Sequence, residues 1–246
     1  MTITMLSPAF VQPLLLADSV RHQGYGVLSP VGLAAFIDAP LSELNAIKLD
    51  WDDLPLDTFL KDGGRYRRRR HSSFVVERSC VTQVAHRAHY QPLAYNALHG
   101  GMHRLFEPMT SDTVGQSVWS KLLLSLGHAC SNVKGEQPWY VEAHQFRIDT
   151  THGIGRPTPE GAHRDGVDFV AILLVARENV SGGESRIFEA DGPCGKRFTL
   201  MEPWTLLMLD DQMVIHESTP IQPTAPGGYR DTLVLTFRSG GFLEPC

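Results

Sequence analysis

The sequence lacks several features that would assign it to a specialised class of protein. Its four cysteines are spread along 246 residues without a Cys-x-x-Cys pair, so neither a zinc knuckle nor a disulfide scaffold is indicated. It has no apolar run of about 18 residues, the length that a membrane-spanning helix requires. Residues 1–12 lack the basic flank of a secretion signal. We therefore expect a cytoplasmic protein with reduced thiols.

An excess of positive charge is also missing. The 22 basic residues are outnumbered by 27 acidic ones, which gives a net charge of -5 and no overall attraction to nucleic acid or to an anionic membrane. One basic run, RYRRRR at residues 65–70, stands on this acidic background, and a solvated edge strand is the commonest explanation for such a run. A small-molecule substrate fits better than either macromolecular partner. The sequence leaves the oligomeric state open.

The length and the hydrophobic pattern predict one domain with a helical front. A chain of 246 residues can bury a sizeable core, and no repeat or linker divides it. Helices are predicted at residues 10–21 and 30–44, with a strand at 24–28 between them. The longest helix is predicted at residues 112–132, with Asp112 as its N-cap. Its apolar stripe consists of Val118, Leu122, Leu123 and Leu126. We expect this helical buttress to cover about residues 1–135.

The remainder of the chain, about residues 136–240, has the pattern of a β-rich core. Short apolar runs alternate with turn signals, among them Ser-Gly-Gly at 181–183 and Pro-Gly-Gly at 226–228. The last run, residues 229–238, alternates strictly between a polar and an apolar face, as a half-buried strand does. We therefore predict a mainly β protein with flanking helices, built as a double-stranded β-helix, or jelly roll, of the cupin-like type.

Three side chains in this half have the spacing of a metal site. His163 and Asp165 are two residues apart, so an extended backbone would point both to one side. His216 follows 53 positions later (216 − 163), far enough for several short strands to return it to the same place. Two histidines and one carboxylate on one face of a metal form the triad of non-haem iron(II) oxygenases. The pair alone could arise by chance, yet no other histidine here has an acid two residues later.

A second pair on the last predicted strand indicates the co-substrate. Arg230 and Thr232 lie on one strand face, so that a guanidinium and a hydroxyl can hold one carboxylate together. The far carboxylate of 2-oxoglutarate would be held in this way while its keto-acid end chelates the metal. The hypothesis therefore requires Fe(II), 2-oxoglutarate and O₂.

These motifs resemble those of a known family. His163-Arg-Asp165, Gly182-Gly183, His216 with Pro220, and the segment YRDTLVLTF at 229–237 are similar to the bacterial iron(II)/2-oxoglutarate dioxygenases of the L-isoleucine dioxygenase group. That group hydroxylates free aliphatic L-amino acids, and biofilm-stress-and-motility protein homologues resemble the chain too. The resemblance implies that His163, Asp165 and His216 bind iron and that Arg230 binds 2-oxoglutarate.

Candidate substrate contacts lie upstream, where the resemblance is weaker. Gln145 and Arg147 share one face of a predicted strand at 140–148, where lining a pocket and bonding within the sheet are equally open. Strand alternation also puts Arg67 and Arg69 on one face, and the resemblance suggests that they contact a substrate carboxylate.

Three functional hypotheses remain at this point. The first is a hydroxylase of a free L-amino acid or a derivative, which releases succinate and CO₂. The second is an oxygenase acting on nucleic acid, a pattern that expects a second arginine six residues after Arg230, where this chain has Thr236. The third is a non-catalytic metal-binding jelly roll with a sensing or regulatory role.

Overall fold

The structure, a computed structural model, describes residues 6–96, 98 and 100–244. Five α-helices lie in the described chain before residue 135: α1 Leu16–Gln23, α2 Pro30–Phe36, α3 Leu41–Ile47, α4 Ser111–Val114 and α5 Ser117–Lys134. Short 3₁₀ turns at Pro13–Leu15 and Lys48–Asp53 accompany them. Twelve described strands complete the fold: β1 Tyr25–Leu28, β2 Arg67–Glu77, β3 Cys80–Gln83, β4 Trp139–Asp149, β5 Phe169–Glu178, β6 Val180–Gly182, β7 Glu184–Glu189, β8 Gly195–Thr199, β9 Leu206–Asp210, β10 Val214–Ser218, β11 Ile221–Pro223 and β12 Tyr229–Arg238.

The strands form one large antiparallel sheet and a smaller pair of sheets. The large sheet has the order β1-β9-β5-β12-β4-β2-β3. A three-stranded sheet, β10-β7-β8, and a two-stranded sheet, β11-β6, supply the facing layer. The strand pairs are antiparallel, and the chain passes repeatedly between the sheets, so the β-half has the mainly β architecture predicted as a jelly roll. The predicted fold class is confirmed.

Strand β12 shows how the alternating pattern divides the molecule into two compartments. Leu233, Leu235 and Phe237 are fully buried in the main apolar cluster, together with the helices. The opposite face carries Arg230 and Thr232, which line a cavity between the sheets. A period of two residues therefore puts an apolar core on one side of the sheet and a polar cavity on the other.

The longest helix packs across the apolar side of the sheet. All four residues of its predicted stripe, Val118, Leu122, Leu123 and Leu126, are buried in the main cluster. Its start differs from the prediction, since Gly115 and Gln116 separate a short helix, α4, from α5. The cap of α4 is Thr110, whose hydroxyl accepts a hydrogen bond from the Thr113 amide at 3.3 Å. Asp112 therefore lies inside α4 and is not the N-cap.

The N-terminal half is less purely helical than predicted. The predicted helix at 30–44 is two helices, α2 and α3, separated by residues 37–40. Strands β1, β2 and β3 also come from this half and join the large sheet. In particular, β2 pairs with β4 over ten residues, so the front of the chain builds part of the cavity wall. Among the described residues no helix has the length and apolar character needed to cross a membrane.

Candidate metal centre and its cavity

The two histidines of the predicted triad are paired through their backbones. The amide of His163 donates to the carbonyl of His216, and the amide of His216 donates to that of His163, each at 3.0 Å. Such an antiparallel bridge puts the two side chains on the same side. Their ring centroids are 4.7 Å apart. The loop around residue 163 is therefore held to β10, and this contact brings together residues that are far apart in sequence.

Asp165 is held by a second contact, from Asp211. The Asp211 carboxylate accepts hydrogen bonds from the amides of Asp165, Gly166 and Val167 at 3.0, 2.8 and 3.1 Å. Gly166 has a φ of +79°, a left-handed conformation that glycine adopts without steric cost. This bend, rather than a regular strand, turns the Asp165 side chain toward the histidines. Gln91 adds a hydrogen bond to Asp165 Oδ1 at 3.1 Å.

The donor atoms of the triad converge. His163 Nε2 lies 3.7 Å from Asp165 Oδ1, and His216 Nε2 lies 3.6 Å from Asp165 Oδ2. The other ring nitrogen of His163, Nδ1, is 2.9 Å from the Gly161 carbonyl and donates to it, which leaves Nε2 as the free ligand atom. One ligand atom from each residue lies within 4.8 Å of the others. Two imidazole nitrogens and a carboxylate oxygen fit a mononuclear iron(II) site.

The electrostatics of the triad agree with a cation site. Burial lowers the pKa of His163, but the hydrogen bond and charge of Asp165 outweigh it and raise the pKa to about 10. Burial and the neighbouring His163 lower the pKa of His216 to about 4. Burial disfavours the Asp165 carboxylate, yet His163 and His216 hold its pKa well below the usual range. One positive charge is thus favoured between the rings and the carboxylate, a place that a divalent metal would occupy by displacing the proton.

Arg230 lies in the same cavity as an unpaired cation. The residue is only 4% exposed, and no carboxylate lies within ion-pair distance of it among the described residues. Burial, followed by the charge of Arg177 on the adjacent strand, lowers the pKa of Arg230 to about 10. Arg177 is instead directed at the carbonyls of Val180, Gly182 and Leu200. A buried guanidinium without a counter-ion is costly, and an anionic ligand would remove that cost.

The cavity wall beside Arg230 is formed by side chains of three paired strands, β12, β4 and β2. Register aligns Arg230, Ile148 and Arg67 in one row, and Thr232, Phe146 and Arg69 in the next. Thr232 lines the cavity, as predicted for the partner of Arg230. Gly183 approaches this corner from the opposite layer, where an added Cβ would lie 3.3 Å from Arg230 Cδ. Glycine at position 183 therefore leaves room for the side chain of Arg230.

The basic run at 65–70 is not a solvated edge strand. Arg67 and Arg69 are 6% and 4% exposed and line the cavity. Their strand, β2, is flanked by β4 on one side. On the other side its end pairs with β3, and its start forms isolated backbone bonds with residues 55–57 and 107. Arg67 Nε donates to Asp57 at 2.7 Å, and Arg69 Nη1 lies 3.8 Å from the same carboxylate. The solvated-edge expectation is therefore wrong for these two residues, since β4 and Asp57 bury them.

Gln145 and Arg147 lie on the opposite face of β4, outside the cavity lining. Gln145 is fully buried and donates to Asp50 at 2.7 Å. Arg147 forms a two-pronged pair with Asp231 at 2.8 and 2.7 Å. The bond from Gln145 to Asp50, with one from Arg147 to Asp52 at 2.9 Å, attaches the 3₁₀ turn at Lys48–Asp53 to the sheet, whereas the pair with Asp231 joins β4 to β12. The structure therefore assigns both residues to bonding within the fold, one of the two alternatives left open by the sequence.

A second histidine cluster, which the sequence pattern did not reveal, borders the cavity. His71, His89 and His144 surround Glu142, which lies 3.3 Å from His71 Nε2 and 3.0 Å from His89 Nδ1. The rings of His71 and His144 are stacked, with planes only 22° apart, so their in-plane lone pairs cannot meet at one ion. His144 Nδ1 instead lies 2.7 Å from Arg69 Nη2 and accepts from it. This cluster is suited to hydrogen bonding rather than to metal binding.

The sequence contains little that could have shown the cluster. Its four members come from three separate segments, and only the strand pairing His71↔His144 brings two of them together. Glu142 and His144 are two residues apart on β4, which is the one local signal.

Together these residues enclose a cavity of about 140 Å³. The triad, Arg230, Thr232, Arg67 and Arg69 all lie on its wall. A jelly roll with two histidines and a carboxylate at a polar cavity defines the class of mononuclear non-haem iron proteins.

Comparison with known proteins extends this assignment. The model of the 2OG-Fe dioxygenase family matches residues 48–236. The crystal structure of a bsmA homologue from Methylobium petroleophilum PM1 is 48% identical, with a TM-score of 0.93 over 100% of both chains. The structure of IDO from Bacillus thuringiensis is 18% identical, with a TM-score of 0.76 over 94% of this chain and 100% of that one. No curated protein matches the sequence.

The chain belongs to the 2OG-Fe dioxygenase family. It is a dioxygenase that uses Fe(II), 2-oxoglutarate and O₂.

Proposed function

We propose that His163, Asp165 and His216 bind one Fe(II), and that Arg230 with Thr232 binds the far carboxylate of 2-oxoglutarate. The convergence of three ligand atoms within 4.8 Å supports the metal assignment. The uncompensated guanidinium of Arg230 in the same cavity supports the second. Thr232, one register row away, adds a hydroxyl on the same strand face.

The chain's own residues would bind the metal and 2-oxoglutarate, hold them in a fixed orientation and shield the site from water. The His163–Gly161 hydrogen bond sets the tautomer that presents Nε2, and Asp211 fixes the loop that carries Asp165. Apolar side chains on the neighbouring strands of the large sheet, such as Ile172 on β5 and Leu207 on β9, line the cavity and would limit the access of water. Iron and 2-oxoglutarate, when bound, supply the oxidising chemistry and release succinate and CO₂.

We further propose that the oxidised substrate is a small molecule, specifically a free L-amino acid or a derivative. The site lies in a concave cavity with apolar walls and a few convergent polar groups, the form that small-molecule sites take. The buried Arg67 and Arg69 provide positive charge for an acidic group of the substrate. The membership of the chain in the L-isoleucine dioxygenase group is part of this proposal.

The test is a turnover assay with a defined pool. Purified protein is incubated with Fe(II), ascorbate, 2-oxoglutarate and the twenty L-amino acids with simple derivatives, and products heavier by one oxygen are sought by mass spectrometry. We expect one or a few such products, together with substrate-dependent succinate. His216→Ala should abolish both, whereas His152→Ala, a change at an exposed histidine, should not.

Two outcomes would count against the proposal. Iron binding without any succinate would indicate a regulatory metal protein. Succinate that forms at the same rate with and without every pool member would show that the true substrate is of another class.

A further inference from the structure

A third buried arginine, Arg104, lies at the cavity without the contacts that satisfy its neighbours. It is 3% exposed and lines the cavity. Its Nε and Nη2 atoms are buried and have no hydrogen-bond partner among the residues that the structure describes. Burial, followed by the charge of Arg67, lowers the pKa of Arg104 to about 10. The position is therefore unfavourable for a cation unless an anion joins it.

The backbone places Arg104 close to the candidate iron site. The amides of Arg104 and His89 donate to each other's carbonyls at 2.9 and 3.0 Å, a bridge that puts both side chains on one face. Gln91, two residues after His89, donates to the ligand Asp165 at 3.1 Å. The same short segment thus contacts an iron ligand and carries Arg104.

The charges of this wall do not balance within the described chain. Arg67, Arg69 and Arg104 have a single carboxylate, Asp57, in ion-pair contact with two of them. Glu142 is engaged by the neighbouring histidines and lies 3.5 Å from Arg87. Glu160 also lines the cavity, and its charge acts on Arg104 without an ion-pair contact. The three guanidiniums therefore outnumber Asp57 and Glu160 by one, and Nη2 of Arg67 is also buried without a hydrogen-bond partner among the described residues.

Arg69 differs from Arg104 because its guanidinium is already engaged. It donates to His144 at 2.7 Å and lies over the rings of Phe106 and Phe146, at 3.7 and 4.5 Å from their centroids. Such stacking stabilises a guanidinium in place. Arg69 therefore contributes positive charge to the cavity from a fixed position, whereas Arg104 and Nη2 of Arg67 remain available to form hydrogen bonds with a ligand.

We propose that Arg104, together with Arg67, binds a carboxylate of the organic substrate and so restricts the enzyme to carboxylic acids. This inference rests on the proposed function and refines it, since it assigns the substrate's acid group to a residue that the sequence pattern did not indicate. The 2-oxoglutarate carboxylate is held separately, by Arg230. Two arginines converging on one carboxylate provide charge-assisted hydrogen bonds, which strongly favour an ionised acid over a neutral amide.

The first test measures the stability of the protein without added ligands. Among the described residues Arg104 has no side-chain hydrogen bond or ion pair to lose, only a distant ring contact with Phe106 at 6.0 Å. Arg104→Met should therefore unfold at the same denaturant concentration as wild type or at a higher one. Arg69→Met is the matched control and should unfold at a lower concentration, since it loses the His144 bond and the ring contacts. An Arg104→Met protein as destabilised as Arg69→Met would show that Arg104 is structural and would overturn the proposal.

The second test measures ligand preference by calorimetry on the anaerobic Fe(II)/2-oxoglutarate protein. The twenty L-amino acids and their deaminated acids are titrated, and each acid that binds is compared with its carboxamide. Wild type should prefer the acid by roughly ten- to a hundred-fold, and Arg104→Met should lose that preference while keeping its affinity for 2-oxoglutarate. Equal binding of acid and amide, no binding of any acid, or an unchanged preference in Arg104→Met would each refute the assignment.

The two proposals can fail separately in these experiments. A preference that depends on Arg104, without any oxygenated product, would support the carboxylate site and contradict the hydroxylase. Oxygenated products formed equally from acids and amides would support the hydroxylase and contradict the role of Arg104.

Discussion

At the scale of single residues, the cavity is organised by arginines that differ in what surrounds them. Arg147 is fully paired with Asp231 and lies outside the cavity, whereas Arg230 is buried beside it with no carboxylate in ion-pair contact among the described residues. The same side chain type thus has a structural role in one place and a proposed ligand-binding role in the other. Which role applies depends on the nearest acid, a property of the fold and not of the residue.

Arg230→Ala tests the co-substrate anchor. The change removes a charge-assisted contact of about 1.5–3 kcal/mol, so 2-oxoglutarate should bind roughly ten- to a hundred-fold more weakly. Arg230→Lys should recover only part of the affinity, because an ammonium cannot form the two parallel bonds of a guanidinium. The measurement is a titration of 2-oxoglutarate into the anaerobic Fe(II) protein, followed by the visible band of the chelate. Arg177→Ala, at the position on β5 that pairs with Arg230, controls for the loss of a positive charge alone. Equal affinities of wild type and Arg230→Ala for 2-oxoglutarate would contradict the assignment.

At the scale of elements, the site depends on short contacts between segments that are not regular. His163 and His216 meet through one isolated bridge, and Asp165 follows in a loop held by Asp211. The predicted helix at 112–132, on the other side of the sheet, likewise starts differently from its prediction. A separate short helix, α4, capped by Thr110, precedes α5. In both places a polar side chain that accepts hydrogen bonds from backbone amides determines where the chain turns.

Thr110→Ala tests the corrected helix start. It removes the hydrogen bond to the Thr113 amide and that from Thr110 to Asp50, and should lower the free energy of unfolding by about 1 kcal/mol, within a range of about 0.5–2 kcal/mol for N-caps. Asp112→Ala, at the exposed position first predicted as the cap, should change it by less than about 0.5 kcal/mol. Urea unfolding of both variants gives the comparison. A larger loss in Asp112→Ala than in Thr110→Ala would restore the original assignment.

At the scale of the whole molecule, the buried histidine cluster makes stability depend on pH. Burial lowers the pKa of His71 from its ordinary 6.5 to about 4, despite the neighbouring Glu142. Unfolded chains therefore bind a proton at His71 near pH 6.5, whereas the folded protein binds it only near pH 4. Falling pH favours the unfolded state in this interval, so the contribution is fully present above pH 6.5 and lost by about pH 4.

His71→Gln tests this coupling. Wild type should lose about 3 kcal/mol of unfolding free energy through His71 between about pH 7 and about pH 4. The glutamine side chain of the variant cannot titrate, although its amide can still donate to Glu142, so the variant should lose less over the same interval. Urea titrations at a series of pH values measure the difference, with His152→Gln, a change at an exposed histidine, as the control. Parallel curves for wild type and His71→Gln would show that His71 does not titrate as described.

Local periodicity accounts for the parts of the fold that the sequence predicts. Strand β12 spans Tyr229–Arg238, the range that its alternation predicts, and the stripe of α5 is buried in full. These features follow from residues a few positions apart, whose relation is fixed by the geometry of a strand or helix. The triad was predictable for a similar reason, since His163 and Asp165 are neighbours and the chemistry of iron selects the distant histidine.

The sequence by itself therefore determined the elements with a clear period and the fold class, and it indicated the residues proposed to hold iron and 2-oxoglutarate. Only the tertiary structure decided which arginines face the cavity, because β2, which carries Arg67 and Arg69, pairs with β4, whereas Arg104 is placed by a single bridge to His89. It also separated the bonded Gln145 and Arg147 from the cavity, through acids far away in sequence, Asp50 and Asp231. Burial and ion pairing depend on contacts between distant segments, and no local pattern records them.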